Sequence, residues 1–205
     1  MKVIKHLEDK NTEKEALECI SRSLAEVRLI LDTVPSDISI YFDNFCLMKE
    51  FGVGGFAYSN DIITIAFDVL YEDKNKQLEY LRQTVFHEAY HLAHGYHAQK
   101  PVFLPIEEAI YEGAATAFER DYVDSPVPYG LYDKKNIALW LSEIKSLKKD
   151  YDRQKWKFYN KERDERWMLY KVGTYVVDEA VSKSGKTIVD LNKCSAKEIL
   201  EMSEL

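Results

Sequence analysis

The sequence predicts an α+β fold, in which residues 1–205 form a single domain with a small mixed sheet followed by a mostly helical carboxyl-terminal half. The first observation is the composition: of 205 residues, 46% are hydrophobic and 31% are charged, which is typical of a globular domain. The second is that alternation of apolar and polar residues is confined to a central stretch, whereas apolar residues on both sides of it recur at helical spacing. The third is that no repeat or linker divides the chain.

A long first helix is predicted over residues 12–33. Thr12 and Glu15 have the spacing of a capping box, in which each side chain pairs with the backbone of the other residue. The apolar residues that recur at helical spacing are Leu17, Ile20, Leu24, Val27 and Leu31. Pro35 ends the helix, because the residue before a proline disfavours helical geometry.

The sheet is predicted from three segments. Residues 38–42 alternate between apolar and polar side chains, as a strand with one buried face does. Residues 52–58 and 62–67 flank Ser59-Asn60-Asp61, a turn-forming trio, and therefore predict a β-hairpin.

The rest of the chain is predicted to be mostly helical. Apolar residues at helical spacing between Leu78 and Leu92 predict a helix that Gly95 ends. The later predicted elements are helices over 105–122, 134–152 and 162–183, a loop over 124–130, and a short last helix capped by Ser195 and Glu198.

Charge and cysteine content exclude several classes of protein. A net charge of −7 and a pI near 5.3 argue against a nucleic-acid partner, because phosphate binding needs clustered lysine and arginine. The amino terminus has no signal-peptide core, and no segment has the roughly 18 apolar residues of a membrane helix. Cys19, Cys46 and Cys194 form no CxxC pair, so they predict free thiols and a cytoplasmic location.

The candidate chemistry lies in His87-Glu88-Ala89-Tyr90-His91, which has the HExxH pattern. Residues four apart on a helix share one face, so both histidines can direct a ring nitrogen at one zinc ion. Glu88 is placed to reach a water on that ion without binding the ion itself, and can act as a general base. The pattern therefore predicts a metal-dependent hydrolase.

A catalytic zinc usually takes three protein ligands, and three residues compete for the third position. His97 follows His91 at the metzincin spacing, but the glycine of that pattern is displaced by one residue, to Gly95. A glutamate on the next helix is the gluzincin alternative. Glu112 is favoured because small residues follow it, and these would let two helices approach closely; Glu108 and His97 stay open.

A peptidase needs two further features. One is an edge strand that can pair with an extended substrate, for which residues 54–58 are suited because glycines let another backbone come close. The other is a donor to the oxyanion that forms during hydrolysis. Tyr170 and Tyr175 are the candidates, since they lie on the helix predicted to close the site.

The run 87–91, together with Glu112-Gly113-Ala114-Ala115-Thr116-Ala117-Phe118, resembles the YjaZ-like predicted zinc proteases, a family of gluzincin type. Residues 53–57 and 62–65 resemble that family's sheet, and residues 170–177 and 191–200 its closing helices, so the resemblance covers most of the chain from about residue 38 onward. It implies a zincin-like fold with an edge strand packed on the HExxH helix. It also implies that His87, His91 and Glu112 bind zinc and that Glu88 is the general base.

The leading hypothesis is a zinc-dependent peptidase that acts on a peptide or protein. The alternative is a regulatory or partner-binding module that keeps the zincin fold without catalysis. Glu88 favours the enzyme, because a purely structural zinc has no use for a base beside its ligand.

Overall fold

The computed structural model describes residues 1–100, 103–123 and 127–205. The chain forms two compact units, Met1–Lys100 and Pro101–Leu205. Strands and helices occur in both, so the predicted α+β class is confirmed. That residues 1–205 act as one domain stays a prediction. Residues 124–126 of the predicted loop lie outside the described residues.

The first unit combines a four-stranded sheet with two long helices. In chain order its elements are β1 (Lys2–Lys5), α1 (Lys10–Ile30), β2 (Ser39–Phe42), β3 (Val53–Ser59), β4 (Ile62–Phe67) and α2 (Lys74–His94). The strand order is β1-β2-β4-β3, with β2 parallel to β1 and β4, and β3 antiparallel to β4. The small mixed sheet and the hairpin are therefore as predicted, and β3 lies at a sheet edge.

Two details of this unit differ from the prediction. The first helix begins at Lys10, because the Asp9 side chain accepts the N–H of Thr12 and so caps it; the capping box at Thr12 is wrong. Strand β1 was not predicted. Its lysines and Ile4 are exposed, so the segment lacks the alternating burial by which strands are recognised, and it is held by backbone pairing with β2.

The core of the first unit lies between the helices and the sheet. Helix α1 packs on α2, and α2 packs on β3. Fully buried side chains come from all three layers and include Ile20, Leu24, Ile63, Ile65, Leu81 and Val85. These contacts hold α2, and with it the HExxH motif, against the sheet edge.

The second unit is mostly helical, as predicted. Its elements are α3 (Pro105–Tyr122), α4 (Lys134–Ser146), β5 (Tyr159–Asn160), β6 (Glu165–Arg166), α5 (Met168–Ser184), α6 (Ile188–Leu191) and α7 (Ala196–Ser203). The predicted bounds of α3 and the capping box of the last helix, between Ser195 and Glu198, are confirmed. Among the described residues of both units, no helix has the length and apolar character that a membrane crossing requires.

The two middle helices of this unit are shorter than predicted. Helix α4 ends at Ser146 rather than near residue 152, and α5 begins at Met168 rather than near 162. The intervening chain forms a short helical turn, Gln154–Phe158, and a small hairpin. The buried side chain of Asn160 accepts backbone N–H groups from the hairpin turn, which is chemistry that competes with a helix.

Helices α3 and α5 meet backbone to backbone at two glycines. A Cβ added to Gly173 would lie 1.7 Å from the carbonyl oxygen of Ala109, and one added to Gly113 would lie 2.0 Å from the carbonyl carbon of Gly173. The small residues after Glu112 were predicted to let two helices approach closely, and they do so for this pair. The contact fixes the part of α3 that carries Glu112.

Candidate metal centre

His87 and His91 lie side by side on α2. Their Nε2 atoms are 3.1 Å apart, and both side chains are buried. Two nitrogens bound to one tetrahedral zinc at 2.0–2.1 Å would be about 3.3 Å apart. The separation of the two rings therefore fits a shared ion, as their spacing of four residues predicts.

The motif occupies an unusually buried stretch of helix. Every residue from 83 to 92 is buried, so α2 presents no solvent face there. Ionisable side chains are costly to bury unless charge or hydrogen bonding compensates them, and they cluster at functional sites. Beyond this stretch Gly95 ends the helix in the left-handed conformation, and its N–H caps the carbonyls of His91 and Leu92.

Glu88 lies against strand β3 at Gly55. A Cβ added to Gly55 would lie 2.6 Å from Cγ and 2.7 Å from Oε1 of Glu88, and 2.5 Å from Cγ2 of Thr84. Glycine is therefore required for the strand backbone to approach this carboxylate so closely. The sequence indicated a close approach at this strand but not that Glu88 is the group approached.

The cysteine near this carboxylate is not a thiolate. Burial raises the pKa of Cys46 to about 12, and the negative charge of Glu88 adds to the rise. The thiol stays protonated at neutral pH, and a protonated thiol is a poor metal ligand. Cys19, Cys46 and Cys194 are all outside disulfides, as predicted.

The two candidate glutamates of the second unit are one turn apart on α3, and both are buried. Glu108 accepts hydrogen bonds from Tyr151 at 2.9 Å, from Arg153, and from Lys157 at 3.4 Å. Glu112 accepts a hydrogen bond of 2.7 Å from Lys157. Three donors thus surround Glu108, which indicates an anchoring role for that carboxylate.

Lys157 supplies the positive charge in this cluster, and its side chain is only 14% exposed. Burial works against its charge, but the carboxylates of Glu112 and Glu108 outweigh that effect and hold the pKa of Lys157 above its ordinary value. Nothing in the sequence alone indicated Lys157, Arg153 and Tyr151 as members of this cluster. Each lies more than forty residues from the glutamate to which it donates, in a segment without periodicity, and no local pattern marks it.

The two tyrosines proposed for the oxyanion lie in different surroundings. The ring of Tyr170 is 5.5 Å from the Lys157 ammonium, beside the glutamate cluster. The ring of Tyr175 packs on Tyr132 at 5.5 Å, and the hydroxyl of Tyr132 donates to Asp178. Tyr170 therefore lies beside Lys157, whereas Tyr175 packs against Tyr132.

His97 follows α2 in the first unit. The helix runs through His94 before it turns, which is the course expected to carry His97 away from His87 and His91. Its Nδ1 accepts the N–H of Gln99 at 3.3 Å, and burial lowers the pKa of the ring. Its Nε2 is buried and makes no hydrogen bond to the described residues, so His97 stays open as a ligand.

Neither the curated proteins nor the solved structures contain a match to this sequence. The sequence model of one protein family does match, over residues 16–201. Its description reads "Predicted Zn-dependent protease (DUF2268)", in agreement with the resemblance to YjaZ-like predicted zinc proteases. Because the match spans nearly the whole chain, the protein belongs to this family of predicted Zn-dependent proteases.

Proposed function

We propose that the chain is a zinc-dependent peptidase of gluzincin type, in which His87, His91 and Glu112 bind the metal and Glu88 is the general base. The observation that carries the proposal is the pair of Nε2 atoms 3.1 Å apart, in the helical turn that also holds the buried Glu88. The family description supports zinc and proteolysis at a coarser level. A zincin-like arrangement of α2 on the edge strand is part of the proposal.

The donor set fits a catalytic zinc. His87, His91 and Glu112 are each buried, and each offers one ligand atom. Two imidazoles and one carboxylate leave a fourth position for water, as in other zinc hydrolases. When bound, zinc would supply Lewis-acid activation of a water and of the substrate carbonyl.

Glu112 is proposed over Glu108 because the two carboxylates have different neighbours. Tyr151, Arg153 and Lys157 all donate to Glu108, so its oxygens are already engaged in holding the loop after α4. The close contact of α3 with α5 gives Glu112 a rigid base, as a metal ligand requires.

The protein's own residues would divide the remaining work. Glu88 would accept a proton from the attacking water and deliver it to the leaving amine. Tyr170 is the favoured donor to the oxyanion, because it lies beside the Glu112 cluster; Tyr175 stays the second choice. The edge of β3 would align the substrate backbone. A cytoplasmic location and the absence of a nucleic-acid partner also remain predictions.

Metal content and hydrolysis measured on the same preparation test the proposal. The purified protein should carry about one zinc per chain and cleave members of a mixed peptide library. A chelator should abolish cleavage and added zinc should restore it, while His87→Ala should be poor in zinc and inactive. A wild-type protein without metal, or cleavage indifferent to the chelator, would rule the proposal out. Zinc binding without cleavage of any peptide would favour the regulatory module.

Gly55→Ala should lower kcat about tenfold or more while leaving the zinc content near that of the wild type. The added methyl would overlap Cγ and Oε1 of Glu88, so the carboxylate must move, and the three atoms nearest to the new methyl belong to Glu88 and Thr84 rather than to a proposed ligand. Thr84→Ser is the matched control: it trims the other side chain at Gly55 and leaves Glu88 untouched, so its kcat should stay close to wild type. Equal kcat for Gly55→Ala and wild type would show that the position of Glu88 does not limit the reaction.

A further inference from the structure

The backbone of β3 presents three residues to the outer edge of the sheet. Gly55 lies opposite Ile65 of β4, but the carbonyl of Ile65 accepts the N–H of Asp43 from the other side. The hydrogen-bonding groups of Ile65 therefore face β2, and Gly55 cannot be bonded to β4. Since orientation alternates along a strand, Val53, Gly55 and Ala57 all direct their N–H and C=O groups away from the sheet.

Two of these three outward carbonyls are already used by the protein. Val53 accepts the N–H of Met48 at 3.1 Å, and Ala57 accepts the N–H of Ala98 at 3.0 Å. Gly55 lies between them, and its carbonyl has no hydrogen-bond donor among the described residues. It is also partly exposed, whereas its neighbours Val53 and Ala57 are buried. Of the three outward carbonyls, only that of Gly55 is therefore open to a donor from a substrate.

The open residue is the one that touches the proposed base. Oε1 of Glu88 lies directly against Gly55. A peptide backbone that pairs with Gly55 would therefore be held next to the group that activates the attacking water. To pair with β3 over several residues, as one strand pairs with another, a substrate would need an open carbonyl at every second residue of the edge, about 7 Å apart.

We infer that an extended substrate donates a single main-chain N–H to this edge, to the carbonyl of Gly55, and that Met48 and Ala98 prevent the ladder from extending in either direction. The inference rests on the proposed peptidase function and narrows its substrate class. Main-chain recognition at the edge would cover one residue near the scissile bond. The enzyme would therefore accept short extended segments, and longer segments would form no further main-chain hydrogen bonds to carbonyls of this edge.

An N-methyl scan of a substrate tests this limit. The probe is an end-blocked octapeptide that the library assay shows to be cleaved, resynthesised with each non-scissile amide methylated in turn. Methylation removes one donor and adds a methyl at the edge. Methylation at one position should lower kcat/KM about tenfold or more, which corresponds to about 1.4 kcal/mol. Methylation two residues away on either side should change kcat/KM by less than about threefold.

Two outcomes would overturn the inference while leaving the peptidase intact: a large loss at two positions spaced two residues apart, or no large loss at any position. The first would show a longer ladder, and the second would show that the edge accepts no substrate N–H. If no unmethylated peptide is cleaved, the proposed function fails, and this inference fails with it. Binding of the same peptides to zinc-loaded Glu88→Gln, measured by fluorescence anisotropy, should show the same single sensitive position without requiring turnover.

Discussion

Replacement of Glu88 by glutamine is expected to lower peptide hydrolysis about a hundredfold or more, the usual worth of a general base, while the protein keeps its zinc and its fold. The carboxylate is expected to take a proton from the attacking water, and a carboxamide cannot accept it. Glutamine keeps the size and shape of the side chain, so the close contact with Gly55 survives the change.

The substitution also separates the roles of neighbouring residues. Glu88 is not a proposed ligand, so zinc content should stay near that of the wild type, whereas His87→Ala should lose the metal. Binding of substrate does not require the base, so Glu88→Gln should still bind peptides. The loss should therefore appear in kcat rather than in binding.

Zinc content, thermal unfolding and kcat measured on one preparation decide the result. Glu79→Gln is the matched control, because it makes the same change on the same helix at a side chain that is 58% exposed and pairs only with the surface residue Lys76 among the interactions described. That variant should hydrolyse peptides at the wild-type rate. A Glu88→Gln protein with wild-type kcat would refute the proposed mechanism.

The elements that the sequence predicted well are those whose signal is local. The HExxH helix has an apolar stripe and a glycine stop, and the β3–β4 hairpin has alternation and a turn trio, so each could be identified from neighbouring residues alone. Strand β1 was not predicted, because its pairing with β2 joins residues more than thirty positions apart. The hairpin at Asn160 was not predicted, because a buried side chain, rather than a periodic pattern, determines its turn.

In the candidate site, too, features set by local spacing were predicted and features set by distant contacts were not. The shared face of His87 and His91 follows from helix geometry, so four residues of spacing were enough to predict it. Spacing could not distinguish Glu108 from Glu112, because the difference lies in which carboxylate the distant donors reach. Nor could it identify the contact between Gly55 and Glu88, which exists only once the hairpin packs on α2.

Glu112→Gln should weaken zinc binding about a hundredfold or more, since even residues that only support a ligand are commonly worth 10–100-fold in metal affinity. The fold should survive the change. Lys157, which donates to Glu112, also lies 3.4 Å from Glu108 and so keeps a carboxylate partner. The measurement is competition for zinc with a chromophoric chelator, with thermal unfolding as a check on the fold.

Two variants make this a test between ligands rather than a test of burial. Glu108→Gln makes the same substitution one turn earlier at an equally buried side chain. It should cost at most about tenfold in zinc affinity, the lower end of the worth of a supporting residue, because Glu108 is held by Tyr151 and Arg153 and is not a proposed ligand. His97→Ala should do the same, because α2 continues through His94 and the ring already accepts an N–H from Gln99. If His97→Ala instead releases the metal and Glu112→Gln does not, the third ligand is His97, just after α2. The protein is then of metzincin-like rather than gluzincin type.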